Sequence, residues 1–331
     1  MNVVSLFCGC GGLDLGLKMA GHQVIWANDF DNYAIQTYIN NVKSEDEEVV
    51  CKSILEIPSS DIPDCDMVVG GFPCQGFSMA NSYRKEEDAR NFLYLELLRV
   101  VKDKQPKVFL GENVQGITSL GGYETLVDKK QKLGRVFKMI IKDFESIGYH
   151  ITWQIVNSAD YGVPQNRKRM IMVGIRKDLN VSFEFPKKTH SHQPKTVLEA
   201  IGDLPLEPTI NISNHIGTSH KVKINGYLGN RHTNYNKPSP TVVGRGGGTG
   251  GPVILPHPSQ TRRMTVREVA RLQTFPDDFI FYGSISSQYR QIGNAVPVEL
   301  GYVLGMQLHT LKPKTLFTDN NITIQSHFMF K

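Results

Sequence analysis

Cys74 lies in the surroundings that most favour nucleophilic chemistry in this chain. Its segment reads Gly70-Gly-Phe-Pro-Cys-Gln-Gly-Phe-Ser78 and follows the apolar run 67–69, which predicts a short buried strand. Open α/β sheets bind ligands beyond the carboxyl ends of their strands, and a thiolate is a strong nucleophile at neutral pH. A lone cysteine is more often a small buried apolar residue, and a cysteine protease would need a histidine motif that is not apparent here. We therefore predict a thiol that attacks something other than an acyl group.

A carboxylate is predicted in the same crevice. Glu112 stands in Leu110-Gly-Glu-Asn-Val114, at the end of the predicted strand 108–110. A carboxyl group beside a nucleophile can hold a proton for donation, although most acidic residues at strand ends are solvated or cap a helix. The cluster Gln165-Asn-Arg-Lys-Arg169 is similar, since by itself it indicates only a solvated basic surface. Neither feature identifies a reaction alone.

A glycine-rich loop, Phe7-Cys-Gly-Cys-Gly-Gly12, follows the first predicted strand. Its spacing matches neither the dinucleotide fingerprint nor the phosphate loop, so neither NAD nor ATP is favoured. About 20 residues later, Asn28-Asp-Phe-Asp31 ends the second predicted strand, where an acidic residue can accept both ribose hydroxyls. Phe30 could stack on an adenine ring. The two motifs together predict an adenosine-containing ligand, and a purely structural turn is the alternative.

Alternating strands and helices must position these residues. Periodicity predicts strands at 3–7, 23–27, 67–69, 108–110, 151–156 and 170–175, and helices at 13–20, 31–40, 93–101, 126–144, 265–273 and 298–308. This order predicts an α/β fold with a parallel sheet covered on both faces. The pattern stops near residue 178. The segment 186–258 is rich in turn residues, and its scattered apolar residues favour a small folded module over a disordered linker. The last helix is expected to return to the first domain.

Length and composition exclude several classes of protein. A chain of 331 residues with 40% hydrophobic residues can form roughly two domains. No apolar run approaches the ~20 residues that a membrane span needs, and the start lacks the pattern of a signal peptide. A membrane location is therefore not expected. The five cysteines are too few for a disulfide scaffold, and because they include no C-x-x-C pair, no structural metal is expected. A reducing cytoplasm is the expected compartment.

Charge is distributed unevenly along the chain. Residues 1–175 carry 19 Lys+Arg and 22 Asp+Glu, a net charge of −3, whereas residues 176–331 carry 18 and 10, a net charge of +8. A basic second half suggests a polyanionic partner such as nucleic acid. Ordinary surface variation is the alternative, because many basic proteins never bind nucleic acid.

Taken in order, the motifs resemble those of the C5-cytosine DNA methyltransferases over nearly the whole chain, and especially the compact bacterial enzymes of restriction–modification systems. The matching segments are Phe7-x-Gly-x-Gly-Gly12, Asn28-Asp-Phe-Asp31, Gly71-Phe-Pro-Cys-Gln-Gly-Phe-Ser78, Glu112-Asn-Val114, Gln165-Asn-Arg-Lys-Arg169, Arg263-Met-Thr-Val-Arg-Glu-Val-Ala-Arg-Leu-Gln-Thr-Phe-Pro276 and Gln291-Ile-Gly-Asn-Ala-Val296. The resemblance implies a Rossmann-like doubly wound sheet that binds S-adenosylmethionine. It places this catalytic domain at 1–187 plus 289–331 and a loop-rich target-recognition domain at 188–288.

The resemblance also implies a chemistry for each motif. Cys74 would add to carbon 6 of a cytosine flipped out of the duplex, and carbon 5 would then take the methyl group. Glu112 would bind or protonate ring N3. Arg167 and Arg169 would help to bind the cytosine and the catalytic loop. Residues 75–90 would form the loop that closes over the flipped base.

S-adenosylmethionine is the expected cofactor, and no metal is expected. The resemblance assigns these residues to the cofactor site: Phe7, Gly9, Cys10, Gly11, Gly12, Asp29, Phe30, Ser53, Ile54, Pro73, Leu93, Asn294, Ala295 and Val296. One position departs from the family. Ser53 stands where the family usually has an aspartate that contacts the adenine amino group, and a hydroxyl accepts that hydrogen bond more weakly.

Double-stranded DNA is the expected partner of a monomer, with a functionally paired restriction endonuclease as a second partner. The expected DNA contacts are Gln75, Ser78, Arg84, Arg90, Thr241 and Arg245. The segment 188–288 carries 11 Lys+Arg against 6 Asp+Glu, which fits a recognition role. Arg245 could read a guanine edge or bind a phosphate. A transfer-RNA cytosine methyltransferase and an inactive binding module are the alternatives, and the presence of both Cys74 and Glu112 disfavours the latter.

Overall fold

A mixed seven-stranded sheet forms the centre of the computed structural model, which describes residues 1–72, 93–219, 221–227, 230–244 and 253–313. Its strands lie in the order β3-β2-β1-β4-β5-β7-β6, and β8 and β9 form a separate two-stranded pair. The strand bounds are β1 Asn2–Leu6, β2 Gln23–Asp29, β3 Glu48–Cys51, β4 Met67–Gly70, β5 Val108–Val114, β6 Tyr149–Asn157, β7 Lys168–Arg176, β8 Val181–Ser182 and β9 Lys312–Pro313.

Helices cover both faces of this sheet. The α-helices are α1 Gly12–Met19, α2 Asn32–Asn41, α3 Leu93–Lys104, α4 Leu126–Gln131, α5 Arg135–Ser146, α6 Val197–Ile201, α7 Val266–Leu272, α8 Ile285–Asn294 and α9 Val298–Leu308. Short 3₁₀ turns lie at Ile54–Glu56, Ser59–Asp61, Gln115–Ser119, Ser158–Tyr161 and Lys177–Leu179. None of the described helices has the length and apolarity that crossing a bilayer requires.

The strands alternate their side chains between two hydrophobic cores. On β1, Val3 packs into one core and Val4 into the other, and both are fully buried. Strand β4 repeats this with Val68 and Val69. Burial on both faces explains why the central strands are almost continuously apolar in sequence. The doubly wound α/β architecture is therefore confirmed.

The prediction of an all-parallel sheet is wrong at one edge. Strands β1 to β5 pair in parallel, but β7 pairs antiparallel with both β5 and β6. The connection 158–167 between β6 and β7 contains only the short 3₁₀ turn Ser158–Tyr161. A parallel return needs a crossover of a dozen or more residues, so this short connection reverses the chain direction.

The predicted single helix at 126–144 is also wrong, because the structure divides it into α4 and α5. Lys132 has a left-handed φ of 59°, which ends α4. A Cβ at Gly134 would lie 2.4 Å from the Leu120 carbonyl oxygen, so the chain docks closely there before α5 begins. Leu126 and Val127, which contributed to the apolar period, are 85% and 62% exposed. The apolar spacing that includes these two residues therefore does not mark a helix face that packs against the core.

The last long helix returns to the first domain, as predicted. Helix α9 packs along α1, and glycines on both helices allow the backbones to touch. A Cβ at Gly16 would lie 2.4 Å from the Val298 carbonyl oxygen, and one at Gly301 would lie 2.9 Å from the Leu13 carbonyl oxygen. Helix α7 confirms the periodicity predicted at 265–273, whereas α8 was not predicted as a helix.

Candidate active site at the carboxyl ends of the sheet

The glycine-rich loop adopts backbone conformations that its residue types anticipate. Gly9 and Gly11 have φ values of 55° and 89°, and Phe7 shares this left-handed region at 55°. A non-glycine residue at positive φ is uncommon and is often found at functional sites. A Cβ at Gly12 would lie 2.3 Å from the Val296 carbonyl oxygen. The start of α1 and the predicted cofactor residue Val296 therefore touch through this glycine.

Asp29 at the end of β2 organises this loop. Its Oδ2 accepts the Gly9 N–H at 2.9 Å, and its Oδ1 accepts the Asp31 N–H at 2.9 Å. Burial raises the pKa of the Asp29 carboxyl above its ordinary value, and these backbone hydrogen bonds oppose the rise. A carboxylate has about four acceptor positions, so the group keeps acceptor capacity for a further donor. Phe30 beside it is 71% exposed, so one ring face is free for stacking.

A buried polar network that the sequence analysis missed lies beneath the loop. Ser5 Oγ donates to Asp14 Oδ1 at 2.8 Å, and Tyr38 OH donates to Glu47 Oε1 at 2.5 Å. Lys18 Nζ lies 2.5 Å from Glu47 Oε2. Burial raises the pKa of Asp14 to about 6. The available signal was an aspartate in the first turn of a helix that is otherwise apolar on its inner face.

The segment after β3 is held by an arginine that the sequence analysis also missed. Ser53 is half-buried and Ile54 is buried, and both follow directly on the strand that pairs with β2. Arg99 on α3 donates to the Ile54 carbonyl at 3.3 Å and to the Ile57 carbonyl at 3.0 Å. Leu93 is half-buried at the start of α3. Arg99 thus fixes the backbone that carries the predicted adenine contacts.

Glu112 and Arg169 form a nearly buried ion pair at the carboxyl end of β5. Arg169 Nε lies 2.9 Å from Glu112 Oε1, and the two side chains are only 13% and 11% exposed. Burial lowers the pKa of Arg169, and the adjacent carboxylate opposes that effect. A Cβ at Gly71 would lie 3.3 Å from Glu112 Oε2, and Asn113 Nδ2 donates to the Phe72 carbonyl at 3.1 Å. The pair therefore contacts the segment that leads into Cys74.

Arg167 is placed differently from Arg169. Its side chain is 1% exposed, and its guanidinium donates to the Val242 carbonyl at 2.8 Å and to the Gly293 carbonyl at 3.1 Å. Burial lowers its pKa well below the ordinary value, with Arg169 contributing to the fall. These contacts give Arg167 a positioning role between backbone segments, and its expected contact with cytosine has no support among them.

The remaining predicted residues fall into two groups. Asn294 is exposed, Ala295 is half-buried and Val296 is buried, while Thr241 Oγ1 donates to the Asn166 carbonyl at 2.6 Å. The residues that lie outside the described part of the chain are Pro73, Cys74, Gln75, Ser78, Arg84, Arg90 and Arg245. Among the residues that are described, no group of three or more His, Cys, Asp or Glu side chains could hold a metal ion.

A model of the C-5 cytosine-specific DNA methylases matches residues 1–310. The chain belongs to this family. The Type II methyltransferase M.NgoFVII of Neisseria gonorrhoeae is 38% identical over 89% of this methylase and 83% of its own length. The Type II methyltransferase M.FnuDI of Fusobacterium nucleatum is 36% identical over 93% of this chain and 94% of its own length. The family predicted from the motifs is confirmed.

Solved structures agree with the methylase fold. A crystal structure assigned as a DNA modification methyltransferase of an E. coli prophage superimposes with a TM-score of 0.72 at 26% identity, covering 94% of this chain and 99% of the other. The Dnmt2 methyltransferase of S. pombe matches with a TM-score of 0.65 at 19% identity, covering 94% and 99% of the two chains. The second match shows the fold alone.

Proposed function

We propose that this methylase transfers a methyl group to carbon 5 of a flipped-out cytosine in a short duplex DNA site through a covalent Cys74 adduct. The observation that carries the proposal is the Glu112–Arg169 ion pair, 2.9 Å across and nearly buried, beside the segment that enters the cysteine motif. A carboxyl group and a guanidinium held together at the carboxyl end of β5 can stabilise the charge that develops at N3 of a cytosine ring when a thiolate attacks carbon 6.

We assign one step of this chemistry to each of Cys74, Glu112 and Arg169. The Cys74 thiolate would add to carbon 6, and the electron pair of the carbon 5–carbon 6 double bond would become available at carbon 5. Glu112 would protonate or hydrogen-bond N3 and so stabilise the adduct, while Arg169 would hold that carboxyl group in place. After methyl transfer, removal of the carbon 5 proton, with water as the expected base, would restore the double bond and expel Cys74.

The cofactor site fits S-adenosylmethionine, which supplies an electrophilic methyl group when bound. Gly9 has open space where a side chain would stand, which leaves room for a ligand beside β1, whereas Gly11 and Gly12 make room for Tyr38 and for the Val296 carbonyl. Asp29 retains acceptor capacity for ribose hydroxyls, and the exposed Phe30 ring can cover an adenine. We assign Ser53, Ile54, Leu93 and Asn294 to Val296 to the same ligand. Ser53 and Ile54 come after the strand that pairs with β2, Leu93 begins the helix whose Arg99 holds the Ile54 carbonyl, and the Val296 carbonyl lies against Gly12.

The basic segment 188–288 is proposed to choose the DNA sequence, with 1–187 plus 289–331 as the catalytic domain. The curated relatives are Type II methyltransferases, which favours a place in a restriction–modification system with a paired endonuclease. We propose a monomer that acts in the cytoplasm. These relatives and the basic, glycine-rich recognition segment favour DNA over transfer RNA as substrate.

Bisulfite sequencing of DNA from a host that expresses the protein tests the proposal. We expect cytosines in one short sequence context to resist conversion with the wild type and with Cys51→Ser, whose thiol is exposed at the end of β3. We expect full conversion with Cys74→Ser. Resistant cytosines in the Cys74→Ser host, or none with a folded wild type, would refute the assigned chemistry.

A further inference from the structure

Two segments of different proposed function touch backbone to backbone. Segment 241–244 leads into the glycine-rich run of the recognition domain, and segment 292–296 carries three of the assigned cofactor residues, Asn294 to Val296. A Cβ at Gly244 would lie 2.2 Å from Asn294 Oδ1. A Cβ at Gly293 would lie 2.1 Å from the Gly244 nitrogen. Neither segment can move far at this point without moving the other.

Two fully buried glutamines join the same segments through side-chain amides. Gln165 Oε1 accepts the Val242 N–H at 2.9 Å, and Gln165 Nε2 donates to Gln273 Oε1 at 2.9 Å. Gln273 Nε2 in turn donates to the carbonyls of Ile292 at 2.7 Å and Ala295 at 3.2 Å. Both glutamines are 0% exposed, so no water competes for these amides.

Arg167 provides a second, parallel connection. Its two terminal nitrogens donate to the Val242 and Gly293 carbonyls. Both backbone groups of Val242 are thus bound by side chains that also connect to segment 292–296. We call Gln165, Arg167 and Gln273 the bracket. A buried amide or guanidinium that loses its partner costs more than the net value of the bond, so the bracket tends to form or break as a unit.

We propose that the bracket couples cofactor binding to target recognition, with its three members acting as positioning residues. Ligand contacts that order segment 292–296 would order segment 241–244 through the bracket, and bound DNA would act in the reverse direction, because such coupling is reciprocal. The inference rests on the proposed function for what each segment binds. The contacts that carry it are all within the described residues.

Amide hydrogen exchange by NMR on the full chain tests the coupling, with S-adenosylhomocysteine as the probe and no DNA present. We expect the probe to slow exchange at Val242 about 5-fold or more relative to Met264, the lower end of ordinary coupling between sites. The Met264 N–H donates to the Leu255 carbonyl at 2.9 Å within the recognition segment, a partner that does not belong to the bracket. A general rise in stability would slow both amides equally.

A matched pair of variants separates the bracket from buried glutamines in general. Gln273→Met removes the amide that holds segment 292–296, and we expect it to abolish the relative slowing at Val242. Gln288→Met makes the same change at a buried glutamine that binds the Gly283 carbonyl at 2.9 Å, and we expect the slowing to persist.

The outcomes distinguish the two levels of the argument. Probe binding without relative slowing at Val242 in the wild type would overturn the coupling and leave the cofactor assignment intact. Slowing that persists in Gln273→Met would overturn the role of the bracket. Failure of the wild type to bind the probe would refute the cofactor assignment and the coupling together. If Gln273→Met did not fold, the wild-type measurement would still decide the coupling.

Discussion

Replacing Glu112 by glutamine removes the charge but keeps an oxygen acceptor for Arg169. The pair is 2.9 Å across and its side chains are only 13% and 11% exposed, so the guanidinium would lose its counter-ion with little access to water. Breaking a buried pair costs about 3–5 kcal/mol, and the retained acceptor places this variant at the lower end, about 3 kcal/mol of stability. Loss of a general acid separately predicts about a 10²-fold or greater fall in rate, or about 2.7 kcal/mol of transition-state stabilisation.

The rate is measured as single-turnover transfer of a labelled methyl group to duplex DNA, and DNA affinity is measured in parallel. Glu268→Gln is the matched control, because Glu268 forms another buried pair, 2.6 Å from Arg262. We expect the control to lower stability comparably while losing far less than 10²-fold in rate. If Glu112→Gln lost rate and DNA affinity by the same factor, the residue would be positional and our reasoning about N3 would be refuted.

Four further results are expected. Cys74→Ser should abolish methyl transfer while calorimetry shows unchanged binding of S-adenosylhomocysteine, whereas Cys10→Ala, which changes a buried residue of the cofactor loop, should keep substantial activity. Asp14 has its pKa raised by burial from 3.8 to about 6, so its contribution favours folding most at low pH and is lost as pH rises through that window. In denaturant titrations, the free energy of unfolding of the wild type should fall by about 2–3 kcal/mol between pH about 4 and about 6, and Asp14→Asn should remove this fall. A variant with the same pH profile as the wild type would contradict the raised pKa of Asp14. Exchange of residues 188–251 with those of a relative should transfer sequence choice without changing the methylated atom. Arg245→Ala should cost about 1–3 kcal/mol at one base pair if the arginine reads a base, or weaken all sites and lower the salt slope by about one if it binds phosphate.

The sequence predicted the elements that a local pattern of glycine, acidic or apolar residues marks. The glycine spacing at 9–12 and the acidic end of β2 anticipated the loop that Asp29 organises. Helix α8 has Ile285, Tyr289 and Ile292 at helical spacing, but its polar residues concealed the period.

Features that depend on distant residues could not be predicted. The burial of Arg167 depends on carbonyls 75 and 126 residues away, which a run of basic residues does not reveal. The ion pair at Glu112 required knowledge of the β5–β7 register. The division between α4 and α5 depends on the docking of Gly134 against Leu120 rather than on helix propensity.

The reversed direction of β7 determines which end of that strand lies beside the end of β5 that carries Glu112. Arg169 is the second residue of β7 and pairs with Val114, the last residue of β5. If β7 ran parallel to β5, its first residues would lie beside the first residues of β5, roughly 20 Å away along the length of that strand. The antiparallel direction of β7 thus brings the Arg169 guanidinium to Glu112. A parallel β7 could bury the same apolar side chains, but it would leave Glu112 without Arg169.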